Sequence, residues 1–283
     1  MRKCAFSVVL LIIVSTISFS SLGCSDKKPA DISANPTDTA TIDSMDSETQ
    51  DEIISETPMP KAADKLFDDF FFNFVANRNL QVSRIKFPLP VNSSKGQKML
   101  AREDWRMDRF FMEQDYYTLI FDSERQMDVV KDTTVTHVTV EKIYLTRRYI
   151  KLYTFERMKG AWMLTRIDYK GFAENRNASF LDFYRKFIAD STFQAASIND
   201  PLQFTGPSPD DDFTSMDGIL APEQWPSFAP ELPAEMIYNI NYGTDYRESN
   251  RKVFVIRGIA NGLETELTFQ RKAGRWKLTK LIM

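Results

Sequence analysis

Few residues in this sequence have the types and spacing of a catalytic, metal-binding or phosphate-binding site. His137 is the only histidine, and it lies in the alternating stretch TVTHVTV, where it shares a strand face with Val135 and Thr139. One histidine cannot form a His-rich metal site, and no G-x-G-x-x-G or G-K-[ST] string offers a phosphate loop. A carboxylate pair brought together by folding could act as acid and base, but no spacing singles one out. We therefore expect a protein that has no cofactor and is not an enzyme.

The loop GPSPDDDFTSMDG is the one candidate for a metal ion. Its consecutive acids are Asp210, Asp211 and Asp212. Oxygen-rich loops of this kind suit a hard cation such as calcium. The spacing is not that of an EF-hand, and Pro/Asp clusters are usually solvated turns, so we predict no metal and keep these three aspartates as the alternative.

Aromatic side chains offer a different chemistry, the lining of a pocket. The chain has 22 Phe, 10 Tyr and 4 Trp, and most have the helical or alternating spacing of core residues. Six of them are candidates for lining a pocket, because they lie on early strands or at equivalent places before the strands: Tyr116, Tyr117, Trp105, Tyr238, Tyr242 and Trp225. Plain packing, with the tyrosine hydroxyls at the rim, is the alternative.

The N-terminus is typical of an export signal. Arg2 and Lys3 precede a mostly apolar run over residues 5–19, which is too short for a comfortable transmembrane helix. The ending Leu22-Gly23-Cys24 resembles the lipobox of bacterial lipoproteins, although the leucine usually lies three places before the cysteine. The resemblance implies cleavage after residue 23, a lipid on Cys24 and attachment to the outer membrane of a Gram-negative cell envelope, on either side. Several acyl chains would anchor the protein durably.

Residues 24–61 follow as a predicted tether. Between residues 25 and 60 the chain has nine acids and two lysines, a net charge of −7, and no aromatic residue. Such a segment cannot bury enough apolar surface to offset its chain entropy, so we predict disorder. The remainder of the chain carries a net charge of +2, and no basic stripe indicates binding of nucleic acid.

The rest of the chain contains an internal sequence repeat. FERMKGAWMLTRI, which begins at Phe155, matches FQRKAGRWKLTKL, which begins at Phe269, with six identities in 13 positions. A second block at Phe70 matches one at Phe183 with an offset of 113. Blocks in the same order at nearly constant offset indicate duplication. We predict two domains, at residues 62–172 and 175–283.

Each predicted domain begins with an amphipathic helix and ends in antiparallel strands. Phenylalanines recur with a 3.6-residue period near residues 67–74 and 180–187. A shorter helical stretch is expected around Trp105 and around Trp225. Asn261-Gly262 predicts a tight type I′ hairpin turn, and the closing hairpins are expected to turn at Lys159-Gly160 and Ala273-Gly274. The fold class is therefore α+β.

This order of elements resembles the NTF2-like (cystatin-like) fold, in which a long helix packs on a curved antiparallel sheet. The phrases GILAPEQWPSFAPELP, GIANGLETELTFQRKAGRW and PSPDDDF are similar to uncharacterised Bacteroides-type lipoproteins grouped as domain of unknown function 4348. The resemblance implies two tandem NTF2-like domains and transfers no activity, because one fold supports many functions.

The expected function is that of a membrane-anchored, non-catalytic binding module. Its partner would be a small apolar ligand held between helix and sheet, or another protein of the envelope. Two alternatives stay open: an envelope enzyme of the NTF2-like isomerase or hydrolase type, and a purely structural module in which the paired domains replace a homodimer.

Overall fold

A computed structural model describes residues 59–208, 214–243, 248–259 and 261–283. The predicted signal peptide, Cys24, most of the tether and the aspartates 210–212 lie outside the described residues. Within the described part, no helix has both the length and the apolar character needed to cross a membrane.

The first half of the chain, residues 59–171, opens with a 3₁₀ helix, Lys61–Lys65, and holds two further 3₁₀ helices, Phe110–Glu113 and Glu124–Lys131. Its α-helices and strands are, in order, α1 (Phe67–Ala76), α2 (Arg78–Ser83), β1 (Leu89–Ser93), β2 (Gly96–Leu100), β3 (Tyr116–Phe121), β4 (His137–Tyr144), β5 (Tyr149–Met158) and β6 (Ala161–Gly171).

The second half, residues 175–283, repeats this order. Its elements are α3 (Ala178–Ala189), α4 (Ser191–Ala196), β7 (Ile198–Pro207), β8 (Ser215–Leu220), α5 (Trp225–Phe228), β9 (Met236–Asn241), β10 (Arg251–Gly258), β11 (Glu264–Lys272) and β12 (Arg275–Ile282). Short 3₁₀ helices at Phe172–Glu174 and Pro222–Gln224 precede α3 and α5.

The two closing hairpins turn where the sequence predicts. Lys159-Gly160 and Ala273-Gly274 connect their strands with positive φ at both residues, 52° and 84° in the first turn and 48° and 77° in the second. This is the geometry of a type I′ turn, which matches the twist of the flanking strands. The preceding strands also share an irregularity in register, between Thr154 and Phe155 and between Thr268 and Phe269.

Two local predictions were wrong. Trp105 is not in a helix, because the nearest helical turn begins at Phe110. The Asn261-Gly262 hairpin is looser than a two-residue turn, since β10 ends at Gly258 and β11 begins at Glu264. Asn261 instead uses its side chain, whose Oδ1 accepts a hydrogen bond from the Leu263 amide at 3.1 Å.

The two sheets exchange one strand. The first has the order β2-β1-β6-β5-β4-β9, and the second has the order β8-β7-β12-β11-β10-β3. The third strand of each half therefore pairs with the fourth strand of the other half, β3 with β10 and β9 with β4. The ranges 62–172 and 175–283 supply matching elements, but neither builds its sheet alone.

The exchanged strands also contact each other. Thr118 on β3 and Tyr238 on β9 hold equivalent places in the two repeats, and the Thr118 hydroxyl accepts from the Tyr238 amide at 3.0 Å and donates to the Tyr238 carbonyl. The Ile120 amide donates to Asn239 Oδ1 at 2.8 Å. These bonds join the two sheets.

Each helix covers the inner face of one sheet and closes one core. In the first core, Phe67, Phe70, Phe71 and Phe74 of α1 are at most 3% exposed and pack on Phe155 and Trp162. In the second, Phe180 of α3 packs on Phe269 and Trp276. We call the helix-covered space on the inner face of each sheet the first cone and the second cone.

Candidate functional site

A partly buried polar cluster lies in the first cone, on the same inner sheet face as the core. Strand alternation places Lys142 of β4 and Lys151 and Tyr153 of β5 on this face, and Lys142 is paired directly with Lys151 in the register. Asp108, in the loop before the 3₁₀ helix at Phe110, bonds to all three. Its carboxylate lies 3.4 Å from Lys142 Nζ and 3.5 Å from Lys151 Nζ, and it accepts from the Tyr153 hydroxyl. We call these four residues the Asp108 cluster.

Helix α2 holds the loop that carries Asp108. Gln81, fully buried on α2, donates from Nε2 to the Asp108 carbonyl at 2.7 Å and accepts from the Asp108 amide at 3.2 Å. The Trp105 indole donates to the same Gln81 Oε1 at 3.2 Å. The Phe110 amide then donates to Asp108 Oδ1 at 3.0 Å. This network fixes the carboxylate over the two lysines.

The surroundings of the cluster shift the pKa of three of its members, Asp108, Lys151 and Tyr153. Burial by itself would raise the pKa of Asp108, but Lys142, Lys151 and the Tyr153 hydroxyl outweigh burial, and the pKa lies below its usual value. Burial lowers the pKa of Lys151, an effect that Asp108 only partly offsets. Burial and the neighbouring Asp108 charge raise the pKa of the Tyr153 hydroxyl. Asp108 is therefore ionised at neutral pH.

A cavity of about 410 Å³ opens beside this cluster. Its lining residues are Arg106, Met107, Asp108, Arg109, Phe110, Glu113, Lys142 and Lys151. Four of these side chains are cationic and two are anionic, so the lining carries a net charge of +2. A cavity with this lining can attract an anion and hold it near the lysines.

Four tyrosines lie near Lys142 and Lys151 on the same sheet face. The Tyr238 ring lies 5.7 Å from Lys142 Nζ, and its hydroxyl is buried without a hydrogen-bond partner among the described residues. Tyr144 and Tyr149 stack with their ring centroids 4.4 Å apart, and Lys151 Nζ lies 5.9 Å from the Tyr169 ring. The two lysines of the site therefore lie against an aromatic surface.

The second cone has apolar residues at the matching places. Register equates the Lys142–Lys151 pair with Ile256–Thr265, and the repeat offset of 114 equates Tyr153 with Leu267. Asp108 lies three residues after Trp105, and Phe228 lies three residues after the equivalent Trp225. Leu267 is fully buried, and Phe228 and Ile256 pack against the second core. The polar cluster is a property of the first cone.

The six aromatic residues proposed from the sequence do not form one site. Trp105 and Tyr238 border the Asp108 cluster, whereas Trp225 belongs to the second core. Tyr116 is half-buried and Tyr117 is buried in the first core. Their role in a pocket stays a prediction. His137 is an exposed strand residue.

Tyr117 and Tyr242 belong to a second polar group between the halves. The Tyr242 hydroxyl donates to Asp68 of α1 at 2.5 Å, and Arg257 of β10 bonds to the Tyr117 hydroxyl at 3.2 Å and to Glu264. Burial raises the pKa of Asp68 to about 6, although Tyr242 and Arg257 act in the opposite direction. This carboxyl therefore titrates at mildly acidic pH.

Sequence reasoning missed Asp108, Lys142, Lys151 and Tyr153. A signal for them was present, since each is polar where the other repeat has an apolar or less polar residue. Among the described residues, no group of three or more His, Cys, Asp or Glu side chains could hold a metal ion.

Comparison with known proteins places the chain in a family. A family model described as Domain of unknown function (DUF4348) matches residues 46–283. The crystal structure of an NTF2-like protein from Bacteroides fragilis is 43% identical, with a TM-score of 0.73, and the match covers 80% of this chain and 98% of that one. No curated protein matches. The chain therefore belongs to the DUF4348 family of unknown function, and it has an NTF2-like fold.

Proposed function

We propose that this protein is a lipid-anchored binding protein of the cell envelope that holds a small anionic ligand in its first cone. The observation that carries the proposal is the Asp108 cluster beside a cationic cavity, in a cone whose duplicate is apolar. Burying charged groups costs stability even when they are paired, and a hydrophobic replacement of similar volume is often neutral or stabilising. A ligand that binds these charged side chains would explain why the first cone has them and the second cone does not.

The ligand chemistry follows from the lining. Arg106, Arg109, Lys142 and Lys151 favour a carboxylate, sulfonate or phosphate group, and the surrounding tyrosines favour a flat apolar body. A volume of about 410 Å³ is typical of sites for small molecules. The sequence alone leads to the expectation of a small apolar ligand. With this lining, we propose instead a ligand that has both an apolar body and an anionic group.

Binding is favoured over proton-transfer catalysis by the state of Asp108. A general base works best when its pKa lies near the operating pH, and the two lysines and Tyr153 hold the pKa of Asp108 below its usual value. The carboxylate is thus stabilised as an ion that orients Lys142 and Lys151. We propose that these lysines, rather than Asp108, contact the ligand.

The probe for this site is 8-anilinonaphthalene-1-sulfonate, an aromatic anion whose fluorescence rises in apolar surroundings. We expect saturable binding to the wild type and a Kd increase of about tenfold or more in Lys151→Gln, which keeps the stem and removes the charge. Thr265→Gln, which places the same side chain at the equivalent position of the second cone, is the control and should bind as the wild type does. Equal losses in both variants, or no saturable binding, would contradict the proposal.

The anchor has a separate test at Cys24. We expect the wild-type chain to fractionate with membranes and to carry an acyl mass on the peptide that begins at Cys24, whereas Cys24→Ala should carry no acyl mass. A wild-type chain with an unmodified Cys24 would contradict lipid anchoring, and it would leave the ligand proposal unaffected.

A further inference from the structure

The second half has an open groove at the end of its helix pair, away from the Asp108 cluster. The groove encloses about 670 Å³ between α3, α4 and the β11–β12 hairpin. Its apolar floor contains Phe183, Phe193 and Trp276. Four cationic side chains also line it: Lys186, Arg271, Arg275 and Lys277. We call it the second-half groove.

In the first half, the chain itself fills the matching place. Arg84 lies with its guanidinium carbon 5.7 Å from the centroid of the Phe70 ring, which is equivalent to Phe183. Arg84 binds both carboxylate oxygens of Asp64, at 2.9 and 2.7 Å, and Asp64 also accepts from the Trp162 amide at 3.2 Å. Asp64 belongs to the segment of residues 59–66, which thus covers this end of the first core.

The second half lacks both parts of that cover. Ser197 replaces Arg84, and the backbone equivalence is direct, because the Leu164 amide donates to the Arg84 carbonyl and the Leu278 amide donates to the Ser197 carbonyl, each at 2.8 Å. Asn177 replaces Asp64 in the repeat alignment, but its Oδ1 accepts from Lys252 Nζ at 2.7 Å. The segment before α3, which includes Asn177, is therefore held away from the groove, and the groove stays open.

The charge of the groove is unbalanced. Its own acid, Asp182, pairs with Arg148 at 2.9 Å, and the nearby Glu248 pairs with Arg271 at 2.7 Å. Lys186 and Arg275 are exposed and have no ion-pair partner within the described ranges. An incoming carboxylate would meet these two cations above an aromatic floor.

We propose that the second-half groove docks an acidic peptide segment of a partner protein, at the place where the 3₁₀ helix Lys61–Lys65 and its Asp64 carboxylate cover the first half. Charge complementarity with Lys186 and Arg275 and the carboxylate-bearing segment in the equivalent place both favour this occupant. The floor of Phe183, Phe193 and Trp276 would accept small apolar side chains beside the carboxylate.

The test uses the whole chain purified in detergent and a fluorescent peptide, MPEAADEL, which is the sequence of residues 59–66 with both lysines changed to glutamate. The neutral peptide MPQAANQL is its control. We expect saturable binding of the acidic peptide, about tenfold or more tighter than of the neutral one, and weakening by added salt. No saturable binding, or equal affinity for the two peptides, would overturn the proposal.

Variants separate the groove from general attraction between charges. Lys186→Glu with Arg275→Glu, and separately Ala196→Trp, which fills the groove without changing charge, should each raise the Kd about tenfold or more. Lys95→Glu, an exposed charge reversal in the β1–β2 turn, is the matched control and should leave the Kd within about twofold. If Ala196→Trp has no effect, or Lys95→Glu weakens binding equally, the groove is not the site.

The acidic tether of the same chain is the competing occupant. A chain in which the nine acids between residues 25 and 60 are changed to their amides should bind the peptide with the wild-type Kd. A tenfold gain in affinity would show that the tether occupies the groove and would overturn docking of a partner. Thermal unfolding of every variant checks that loss of binding is not loss of fold.

Discussion

On β4 and β5 of the first sheet, Lys142 lies opposite Lys151, whereas the matching pair on β10 and β11 of the second sheet is Ile256 opposite Thr265. The strand order is the same in the two halves, and so are the type I′ turns and the irregular registers of the closing hairpins. What differs is the filling of the two cones. Each half of a duplicated fold can thus be compared with the other. The second cone forms without the charged side chains of the first, so the fold does not require them.

Asymmetry alone does not identify a site, as Lys252 demonstrates. This lysine of β10 is buried where the first half has Val138, and it pairs with Asp122 and Asn177. Its charge is satisfied within the protein, so a structural role accounts for it. The Asp108 cluster differs because it adjoins a cavity whose lining carries a net charge of +2.

The largest effects should come from the tryptophan of each closing strand. Trp162→Ala and Trp276→Ala should each lower the free energy of unfolding by about 3–5 kcal/mol, because each ring packs against the first helix of its half. Trp162→Ala should cost more, since Trp162 is 1% exposed and Trp276, at the open groove, is 6% exposed. Urea denaturation measures both, and a larger loss in Trp276→Ala would contradict this view of the groove.

Asp68 should make the two helices differ in pH dependence, since its counterpart on α3 is the buried Leu181. Its pKa is raised from 3.8 to about 6, so the folded state binds a proton more tightly than the unfolded state. The free energy of unfolding should therefore fall as pH rises from about 4 to about 6, by at most about 3 kcal/mol, and then level.

Asp68→Asn should remove this fall, and the exposed neighbour Asp69→Asn is the control. Urea denaturation at half-unit pH intervals measures the slopes. If the free energy of unfolding still falls with pH to the same extent in Asp68→Asn, protonation of Asp68 is not the cause of the fall.

Exchanging the Asp108 cluster for its second-cone counterparts should separate stability from binding. The change combines Asp108→Phe, Lys142→Ile, Lys151→Thr and Tyr153→Leu, and we call it the apolar-cone variant. Replacing a buried ion pair by packed apolar groups is often neutral or stabilising by about 1–4 kcal/mol, so its unfolding free energy should be unchanged or higher.

Asp108→Ala alone is the contrasting variant. It leaves Lys142, Lys151 and the Tyr153 hydroxyl without their shared acceptor, and it should destabilise the protein by about 2–4 kcal/mol in urea denaturation. A stable Asp108→Ala would show that the two lysines and Tyr153 do not depend on this shared acceptor. An unfolded apolar-cone variant would show that the cluster holds the first cone together in a way that the second cone does not need.

The smallest effects should be equal in the two halves. Lys159 and Ala273 both have positive φ in their turns, a conformation that costs non-glycine residues about 1–2 kcal/mol. Lys159→Gly and Ala273→Gly should each stabilise the protein by about 0.5–1 kcal/mol after the greater freedom of glycine in the unfolded chain is included. A gain at only one turn, measured by thermal unfolding, would show that the turns are not equivalent.

Much of the fold was predictable because its signals are local. The phenylalanine period gave the helices α1 and α3, and the repeated Gly-x-Trp-x-Leu gave the closing hairpins. The strand exchange was not predictable, since β3 and β9 carry similar patterns and either could pair with either fourth strand. Asp108 was also missed, because its partners lie 34 to 45 residues away and only folding brings them together.

Native mass spectrometry of the whole protein, purified in parallel with the apolar-cone variant, tests the difference between the cones most directly. We expect the wild type to retain a small anionic molecule with one-to-one stoichiometry and the variant to retain none. The same adduct on both proteins, or no adduct on a wild type purified under gentle conditions, would contradict a ligand site in the first cone.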